Sequence, residues 1–519
     1  MPRNVLFIIT DQQRHDTLGC AGNPVIRTPH VDALAARGLR LTRAYAESPI
    51  CMPSRCTVAT GLRAAHHGVR LHCQSLGPQV PTFYQELADA GWSTHAVGKL
   101  HLQSQEHAGN PESLPDYRQG LWQNWRGPYF GFQTVELALG HTNPLVGAYG
   151  EWLAERHPGA IRSLLAESLR QAPAAGGHRV YDNDIPEEAH SSAFVADRTI
   201  AELERRAADG RPFFAHAGFP DPHWPIMPPP RWRQLYDEVA LPPNTPYRDE
   251  AGRDDYPEVF RWLRQRPEHL KMPYDGGGHI VTDPAVIEAC TRAYYGSISF
   301  IDHQVGRILG RLRELGLERD TLVIFTADHG EYMGDHGLMA KGGFCYESLL
   351  RVPFVASCPG SLPEGRTVDG LFSLPDLVPT IAELVGLKTR LGLDGVSQAA
   401  TWRGGPAARS SLDVTHFSHH PDFPDLHALI RDDGCKLVHY PGDERALVFD
   451  LKNDPAELDN LAATRPELRD RLRLELLDTL SSARNRQAMR EQAAGRVPGY
   501  GRHVTGRDVW GELIDRLPT

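Results

Sequence analysis

The chain is built around Ser48-Pro49-Ile50-Cys51-Met52-Pro53-Ser54-Arg55-Cys56-Thr57, which is followed by Thr60-Gly61. Because proline fixes one backbone dihedral and lacks an N–H donor, Pro53 suits the first turn of a helix. A helix that begins here directs its free N–H groups and the positive end of its dipole toward Cys51. Arg55 adds a permanent positive charge near the same point. This pattern favours a nucleophile that attacks an anionic ester, such as a sulfate or a phosphate.

Two other interpretations of Cys51 compete with this one. A free cysteine is often simply a buried core residue, and here it would lie near a turn. A zinc site would use Cys51 with Cys56, or Cys20 with Cys73, but neither pair belongs to a repeated Cys-x-x-Cys pattern, which disfavours zinc. From these residues alone, the choice between a nucleophile and a core cysteine stays open.

The composition is typical of a large globular protein. The 519 residues are 41% hydrophobic and 23% charged, which provides for one large α/β core and a smaller domain. The formal net charge is -10 and the sequence has no basic block, so we expect no nucleic-acid partner. An anionic substrate therefore requires a local positive pocket in an acidic protein.

The number of cysteines and the lengths of the apolar runs indicate the cellular compartment of the protein. Eight cysteines in a chain of this length do not indicate a disulfide framework. The N-terminal run Val5-Leu6-Phe7-Ile8-Ile9 is too short for the core of a signal peptide. No stretch approaches the roughly 20 apolar residues of a membrane helix. We therefore expect a reduced, cytoplasmic protein with no membrane partner.

Three predicted strands, two of them strongly apolar, each lead into polar residues suited to a site. They are Val5–Thr10 before Asp11, Thr321–Thr326 before Asp328-His329, and Trp92–Val97 before Gly98-Lys99-Leu100-His101. In open α/β sheets, ligands bind beyond the carboxyl ends of the strands. Lys99 and His101 alternate along the chain, so both can face one pocket. Taken singly, each of these residues is also explained as a cap, a turn former or a surface residue.

The pattern along the chain predicts two domains. We place a catalytic α/β domain at residues 1–390, with insertions near 103–187 and 226–280 that shape a site. We place a C-terminal α+β subdomain and an oligomerisation tail at residues 391–519. An Asp433-Gly434 hairpin and a charged amphipathic helix from Pro466 belong to this second part. The tail after Ala493 has few apolar partners of its own and is expected to pack on another subunit.

Motifs over nearly the whole chain resemble the sulfatases of the alkaline phosphatase superfamily. Residues 51–55, together with Thr60-Gly61, resemble the sulfatase signature. The other matching motifs are Asp11, Gly98-Lys99-Leu100-His101, Pro222-His223-Trp224-Pro225, Asp328-His329-Gly330, Lys341 and the C-terminal Asp450-Leu451…Asp454-Pro455…Glu457…Asn460-Leu461. The resemblance implies an α/β fold with a large mixed central sheet flanked by helices, as in alkaline phosphatase, and a smaller C-terminal antiparallel sheet with a helix.

The resemblance also implies an activity. Members of the family hydrolyse sulfate monoesters, such as aryl or sugar sulfates, to an alcohol and inorganic sulfate. A formylglycine-generating enzyme oxidises the signature cysteine, here Cys51, to formylglycine (3-oxoalanine), and Pro53 and Arg55 belong to the signal for this conversion. One hydroxyl of the hydrated aldehyde attacks sulfur, and the other, once deprotonated, expels sulfate and regenerates the aldehyde.

The resemblance assigns one divalent cation to the site. Its ligands are Asp11, Gln12, Cys51, Asp328 and His329. These residues offer mostly hard oxygen ligands and one imidazole, which suits Ca²⁺, Mg²⁺ or Mn²⁺ better than a thiolate-bound metal. The family favours Ca²⁺, and the histidine makes Mn²⁺ a rival.

The same resemblance assigns the catalytic roles. Arg55 steadies the nucleophile and the oxygens at the metal. His101 is the base of the second step, with Lys99 beside it. His223 and Lys341 bind sulfate and protonate the leaving group, for which an imidazole has a suitable pKa.

Two positions depart from the commonest sulfatase pattern. Gln12 stands where many sulfatases carry a second acid, and His329 stands where many carry an asparagine. Both features resemble the branch that holds phosphonate monoester hydrolases and related arylsulfatases. Because members of that branch form oligomers, we expect a homo-oligomer, either a dimer or a tetramer.

These departures define two further hypotheses. The first alternative is a phosphonate monoester or phosphodiester hydrolase with the same site. The second is a non-catalytic anion-binding protein on the same fold, which the intact set of motif residues disfavours.

Overall fold

The computed structural model describes residues 1–140, 146–160, 180, 185–249, 253–265, 279–418 and 424–481. The predicted oligomerisation tail after Ala493 lies outside the described residues, as do parts of both predicted insertions. The predicted domain boundary near residue 390 stays a prediction.

The structure alternates strands and helices along most of the chain. The strands are β1 (Asn4–Thr10), β2 (Leu39–Leu41), β3 (Ala44–Tyr45), β4 (Ser93–Gly98), β5 (Thr134–Leu137), β6 (Phe213–Gly218), β7 (His279–Ile280), β8 (Thr321–Ala327), β9 (Leu338–Met339), β10 (Phe354–Ser357), β11 (Arg366–Val368), β12 (Phe372–Ser373), β13 (Ser411–His416), β14 (Leu426–Arg431), β15 (Cys435–His439) and β16 (Ala446–Asp450).

The α-helices vary from single turns to a helix of 31 residues. They are α1 (Pro29–Ala36), α2 (Cys51–Thr60), α3 (Ala64–His67), α4 (Phe83–Asp89), α5 (Leu114–Arg118), α6 (Gly147–Arg156), α7 (Ser191–Asp209), α8 (Pro230–Gln234), α9 (Glu258–Gln265), α10 (Pro284–Glu314), α11 (Glu347–Leu350), α12 (Leu377–Val385), α13 (Ala399–Trp402) and α14 (Pro466–Leu480). Within the described ranges, none of these helices combines the length and the apolar character that a membrane crossing requires.

The centre of the protein is an eight-stranded sheet with the order β11-β2-β10-β8-β1-β6-β4-β5. Strand β10 runs antiparallel to both of its neighbours, and the other adjacent pairs are parallel. Every residue of β1 is buried, as expected for a parallel strand covered on both faces. The predicted large mixed sheet is therefore confirmed.

Alternate residues of β1 pack into two cores. Val5, Phe7 and Ile9 belong to a core cluster that includes apolar residues of α2 and α4. Leu6 and Ile8 belong to a second cluster with apolar residues of α1, α7 and α10. The period of two along a strand thus places helices on both faces of the sheet.

The register of the strands brings the predicted site residues to one edge. Thr10 of β1 pairs with Ala327 of β8, so Asp11 and Asp328 leave the sheet side by side. Gly98 of β4 pairs with Gly218 of β6, and Lys99 follows at the same edge. Parallel strands place their carboxyl ends together, which is why three distant segments meet here.

The signature helix α2 begins at Cys51, and all ten of its residues are buried. It ends at Gly61, whose φ of 67° lies in the left-handed region that glycine adopts readily. A Cβ atom at position 61 would lie 2.7 Å from Leu393 Cδ2 and 3.0 Å from Val378 Cβ. The helix start predicted from Pro53 is confirmed, and the glycine that ends the motif is required by both its φ and its close packing.

A smaller antiparallel sheet, β13-β14-β15-β16, forms the C-terminal part of the protein. Strands β14 and β15 form the hairpin predicted at Asp433-Gly434. Helix α14 buries Leu468, Leu472 and Leu476 against this sheet. The small sheet with its helix therefore matches the predicted architecture.

Helix α14 offers a matched pair of leucines for a stability test. We expect Leu472→Ala to lower the free energy of unfolding by about 2–5 kcal/mol, because it leaves a cavity in the packed face of α14. The matched control is Leu474→Ala, since Leu474 is 64% exposed, and its effect should stay within about 0.5 kcal/mol. Urea unfolding followed by circular dichroism measures both. Equal losses would contradict the packing of α14 on the small sheet.

Candidate active site

Three polar side chains surround Cys51, which is fully buried at the first position of α2. Lys341 Nζ donates to Cys51 Sγ at 2.7 Å. His329 Nε2 lies 3.1 Å from this sulfur, and Asp11 Oδ1 lies 3.3 Å from it. The side chain of residue 51 is therefore the point where the β1 loop, the β8 loop and the segment around Lys341 meet.

Four buried side chains at this point can hold a metal ion together. One ligand atom each from Asp11, Cys51, Asp328 and His329 lies within 4.8 Å of the others, and all four residues are buried. His329 Nδ1 donates to the carbonyl of Gly330 at 2.8 Å, which leaves Nε2 as the acceptor that faces the group. Burial, together with nearby Lys341, lowers the pKa of His329 to about 4, so its imidazole is neutral near pH 7, as a metal ligand must be.

Gln12, which follows Asp11 in the chain, also has a buried oxygen beside this group. Its backbone N–H donates to Asp328 Oδ1 at 2.9 Å, and its φ is 64°. Its side-chain Nε2 donates to Glu331, whereas Oε1 is buried and has no hydrogen-bond partner among the described residues. A buried oxygen without a donor suits a cation, and the donor set of carboxylates, amide oxygen and imidazole fits a hard divalent ion.

Two buried cations balance the carboxylates. Arg55 Nε donates to Asp328 Oδ2 at 2.7 Å, and Arg55 Nη2 lies 3.3 Å from Asp11 Oδ2. Lys99 Nζ lies 2.5 Å from the same oxygen of Asp11. Burial lowers the pKa of Arg55, but the charges of Asp328 and Asp11 outweigh it and raise the pKa overall. Each carboxylate thus has a buried cationic partner.

Helix α2 also ties the ends of two strands together. Arg55 Nη1 donates to the carbonyl of Lys99 at 2.9 Å, beyond the end of β4. Ser54 Oγ donates to the carbonyl of Asp328 at 2.6 Å, beyond the end of β8. The signature residues therefore position the site as well as contributing to it.

Lys341 and His223 form a second polar pair above Cys51. His223 Nδ1 lies 2.5 Å from the carbonyl of Trp224, which assigns the ring proton to Nδ1. His223 Nε2 then accepts from Lys341 Nζ at 2.8 Å. Burial, followed by the charge of Lys341, lowers the pKa of His223 well below its usual value. The imidazole is neutral, and the proton between the two residues belongs to the lysine.

The loop around Lys341 is held by two tyrosine hydroxyls. Tyr332 Oη donates to the carbonyl of Gly342 at 3.0 Å. Tyr440, which follows β15 of the small sheet, donates to the carbonyl of Gly343 at 3.1 Å. The C-terminal sheet therefore reaches the segment that carries Lys341.

His101 lies at the rim of this group and makes no direct hydrogen bond to it. Its ring is buried, and its Nδ1 has no partner among the described residues. Burial and the charge of Lys99 lower its pKa well below the usual value. Its backbone is in the left-handed region, with a φ of 58°, and the carboxylate of Glu112 accepts from its N–H at 2.7 Å.

The structure brings the predicted site residues into one region. Nine of them form a continuous set of contacts: Asp11, Gln12, Cys51, Arg55, Lys99, His223, Asp328, His329 and Lys341. The tenth, His101, is linked to them through the electrostatic effect of Lys99.

Two buried glutamates were not predicted. Glu112 accepts from the backbone N–H groups of His101, Leu102 and Gln103 and from Tyr129 Oη. Glu331 accepts from Gln12 Nε2 and from Trp224 Nε1. The sequence around Glu112 is irregular and gives no signal for it. Glu331 could have been noticed because it lies two residues after His329.

Comparison with known proteins identifies the family. The family model described as Sulfatase matches residues 3–387 of the 519-residue chain. The chain belongs to the sulfatase family. A second model, described as the C-terminal part of N-sulphoglucosamine sulphohydrolase, matches residues 334–485 of this sulfatase. The two matches span the large sheet and the small one.

Curated relatives of this sulfatase cover nearly its full length. An arylsulfatase of Clostridium perfringens is 27% identical over 490 residues, covering 89% of this chain and 90% of the relative. A multifunctional alkaline phosphatase superfamily protein, PehA, of Trinickia caryophylli is 28% identical over 500 residues, covering 89% and 91%. Among solved structures, the phosphonate monoester hydrolase of Agrobacterium radiobacter superposes with a TM-score of 0.76 at 28% identity, covering 92% of this chain and 95% of that one.

These comparisons confirm the predicted family, fold class and enzyme class. The protein is a sulfuric ester hydrolase with an alkaline phosphatase-like fold and a C-terminal antiparallel sheet. The family implies a divalent metal and a formylglycine, and the buried four-residue group is suited to the metal.

The burial of Cys51 predicts its reactivity in protein that has not been converted to formylglycine. Burial and the charge of Asp11 raise the pKa of its thiol to about 12, so we expect it to resist iodoacetamide in the folded protein at pH 8. The control is Cys73, which is exposed and should react. Peptide mass analysis before and after denaturation measures both. Rapid native labelling of Cys51 would contradict the buried site and would favour a reactive thiol.

Proposed function

We propose that this sulfatase hydrolyses aryl or sugar sulfate monoesters with a formylglycine at position 51 and one divalent cation beside it. The observation that carries the proposal is the position of Cys51. Its side chain lies at the start of a buried helix, 3.3 Å from Asp11 Oδ1, 3.1 Å from His329 Nε2 and 2.7 Å from Lys341 Nζ. The side chain of the proposed nucleophile thus contacts both candidate metal ligands and the ammonium group of Lys341.

We assign the cation to Asp11, Gln12, residue 51, Asp328 and His329. When bound, it would act as a Lewis acid toward the sulfate group and lower the pKa of a hydroxyl at position 51. Four of the five ligands would be oxygen atoms, which favours Ca²⁺, with Mn²⁺ and Mg²⁺ as rivals.

The chain provides an anion-binding site of its own. The free N–H groups at the start of α2 favour negative charge, and Arg55, Lys99 and Lys341 add three cations around it. Since Arg55 and Lys99 are engaged with Asp11 and Asp328, Lys341 is the cation best placed to contact a sulfuryl oxygen.

Lys341 is also placed to supply the proton for the leaving alcohol. Its Nζ donates to His223 Nε2, and the ring is neutral because its Nδ1 proton is held by the carbonyl of Trp224. His223 therefore accepts a hydrogen bond from the ammonium group and orients it. This assignment makes Lys341 the donor and His223 its support.

His101 is the base we assign to the second step. Its lowered pKa keeps the ring neutral near pH 7, so it can accept a proton. Its Nδ1 is buried without a partner among the described residues, and its backbone is fixed by Glu112. His101 would accept a proton only when a hydroxyl of residue 51 comes within hydrogen-bond distance of it. The expulsion of sulfate would then take place separately from the attack on sulfur.

The proposal also covers the enzyme that modifies Cys51, the cellular location of the protein and its oligomeric state. Conversion of Cys51 requires a formylglycine-generating enzyme in the same cell. A cytoplasmic location and a homo-oligomer, dimer or tetramer, remain predictions.

Position 51 provides the direct test of the nucleophile. We expect intact-peptide mass analysis to show sulfur replaced by oxygen with the loss of two hydrogens, as aldehyde or hydrate. We expect Cys51→Ala to lower kcat on an aryl sulfate by at least about 1,000-fold, because the nucleophile is removed. The matched control is Cys56→Ala, since Cys56 lies buried on the same helix without contact to the metal group. Full turnover by Cys51→Ala would overturn the mechanism and leave a different nucleophile to be found.

The ester preference separates the two hydrolase hypotheses. We expect kcat/KM on an aryl sulfate to exceed that on a matched aryl phosphonate monoester by at least about 10-fold, because the matching family model is that of the sulfatases and one named relative is an arylsulfatase. Steady-state kinetics with one chromogenic alcohol in both esters measures the ratio. A clear phosphonate preference would favour the alternative suggested by Gln12, His329 and the structural likeness to a phosphonate monoester hydrolase. Inactivity on both, with anion binding retained, would favour the non-catalytic hypothesis.

A further inference from the structure

Glu331 is a buried carboxylate that the mechanism above does not use. It is fully buried on the loop after β8, two residues beyond His329. Its Oε2 accepts from Gln12 Nε2 and from Trp224 Nε1, the latter at 2.8 Å. Its Oε1 accepts from the backbone N–H of Met333 at 3.0 Å. One carboxylate thus joins the loop after β1, the loop after β8 and the segment that carries His223.

The contact with Glu331 decides which end of the Gln12 amide faces the metal group. Both oxygens of Glu331 accept from groups that can only donate, Trp224 Nε1–H and the backbone N–H of Met333, so the group that Oε2 meets on Gln12 is the NH₂. The amide oxygen then lies on the other side, where it is buried and has no hydrogen-bond partner among the described residues. The reverse orientation would place two acceptors against each other and leave the NH₂ group toward the cation site.

The Gln12 backbone is fixed independently of its side chain. Its N–H donates to Asp328 Oδ1, and its carbonyl accepts from Tyr294 Oη at 2.6 Å. The only freedom left is rotation within the side chain, and the contact with Glu331 removes it. A ligand that is held before the ion arrives loses less entropy on binding.

We propose that Glu331 is a positioning residue that holds the Gln12 amide with its oxygen toward the divalent cation. This inference rests on the metal site of the proposed function and deepens it. The neutral amide takes the place of a second acid beside Asp11, while the carboxyl group of Glu331 lies one hydrogen bond further away. Glu331 therefore acts through Gln12 and needs no contact with substrate.

Metal affinity provides a readout that does not depend on turnover. We expect Glu331→Leu to weaken Ca²⁺ and Mn²⁺ binding to the full chain by about 10- to 100-fold, the usual cost of losing a group that orients a metal ligand. Glu331→Gln keeps an acceptor for the Gln12 NH₂, so its loss should be smaller, at or below about 10-fold. Equilibrium dialysis against each cation measures the dissociation constants, and thermal unfolding in a chelator checks that the variants fold.

Two comparisons isolate the route through Gln12. In a Gln12→Ala background, Glu331→Leu should weaken cation binding by no more than about 2-fold further, because the amide it would orient is absent. Trp224→Phe removes the other donor to the same carboxylate oxygen, and it should leave both dissociation constants within about 2-fold of the wild type. If Glu331→Leu does not fold, Glu331→Gln is compared in the two backgrounds instead.

The outcomes distinguish this inference from the proposed function. Cation affinity in Glu331→Leu equal to that of the wild type would overturn the positioning role and indicate that Glu331 has no effect on the metal site. An equal loss of affinity with and without the Gln12 side chain would also overturn it and would indicate a direct effect of charge. If the wild type binds neither cation, the proposed metal site itself is wrong and the inference falls with it. Strong binding in the wild type, a loss in Glu331→Leu and no further loss in the Gln12→Ala background would support it.

Discussion

The buried ion pair between Arg55 and Asp328 is the contact on which the site depends. It joins the signature helix to the end of β8, and the same guanidinium reaches Asp11 beyond β1 and the carbonyl of Lys99 beyond β4. Removing one partner from a buried pair commonly costs about 3–5 kcal/mol, because the other charge is left without compensation. Here the loss of Arg55 would remove contacts at the ends of β1, β4 and β8 together. The planar guanidinium serves this role better than an ammonium group, because it donates in several fixed directions.

The sequence predicts the parts of this site that follow from strong local patterns. The sequence predicts β1 and β8 from apolar runs and β4 as a further strand, and the residues after these strands fall at one sheet edge because parallel strands end together. Pro53 predicts the start of α2. The contacts of His223 with Lys341, and of Glu331 with Gln12, join residues 118 and 319 positions apart, and no local pattern specifies such pairs. Glu112 lies in an irregular segment, where burial depends on packing that only the folded chain provides.

The small C-terminal sheet contacts the candidate active site as well as contributing to stability. Tyr440 at the end of β15 holds the carbonyl of Gly343, two residues from Lys341. Lys436 on the same strand bridges Glu347 and Glu457 in a buried cluster at 3.0 and 2.8 Å. Among the described residues, the buried lysine and arginine side chains of this acidic protein lie in the candidate active site or, for Lys436, in the small sheet. One apolar cluster joins the small sheet to the segment that carries Lys341, through Phe344, Cys345 and Tyr346.

The complete burial of α2 has a consequence for biosynthesis. Cys51 and every other residue of this helix are inaccessible in the folded protein, and the helix packs beneath the central sheet. If Cys51 is converted to formylglycine as proposed, the modifying enzyme must reach it before α2 has packed. Modification and folding therefore compete for the same stretch of newly made chain. A substitution that speeds the docking of α2 would then lower the fraction of mature enzyme, although the folded structure would be unchanged.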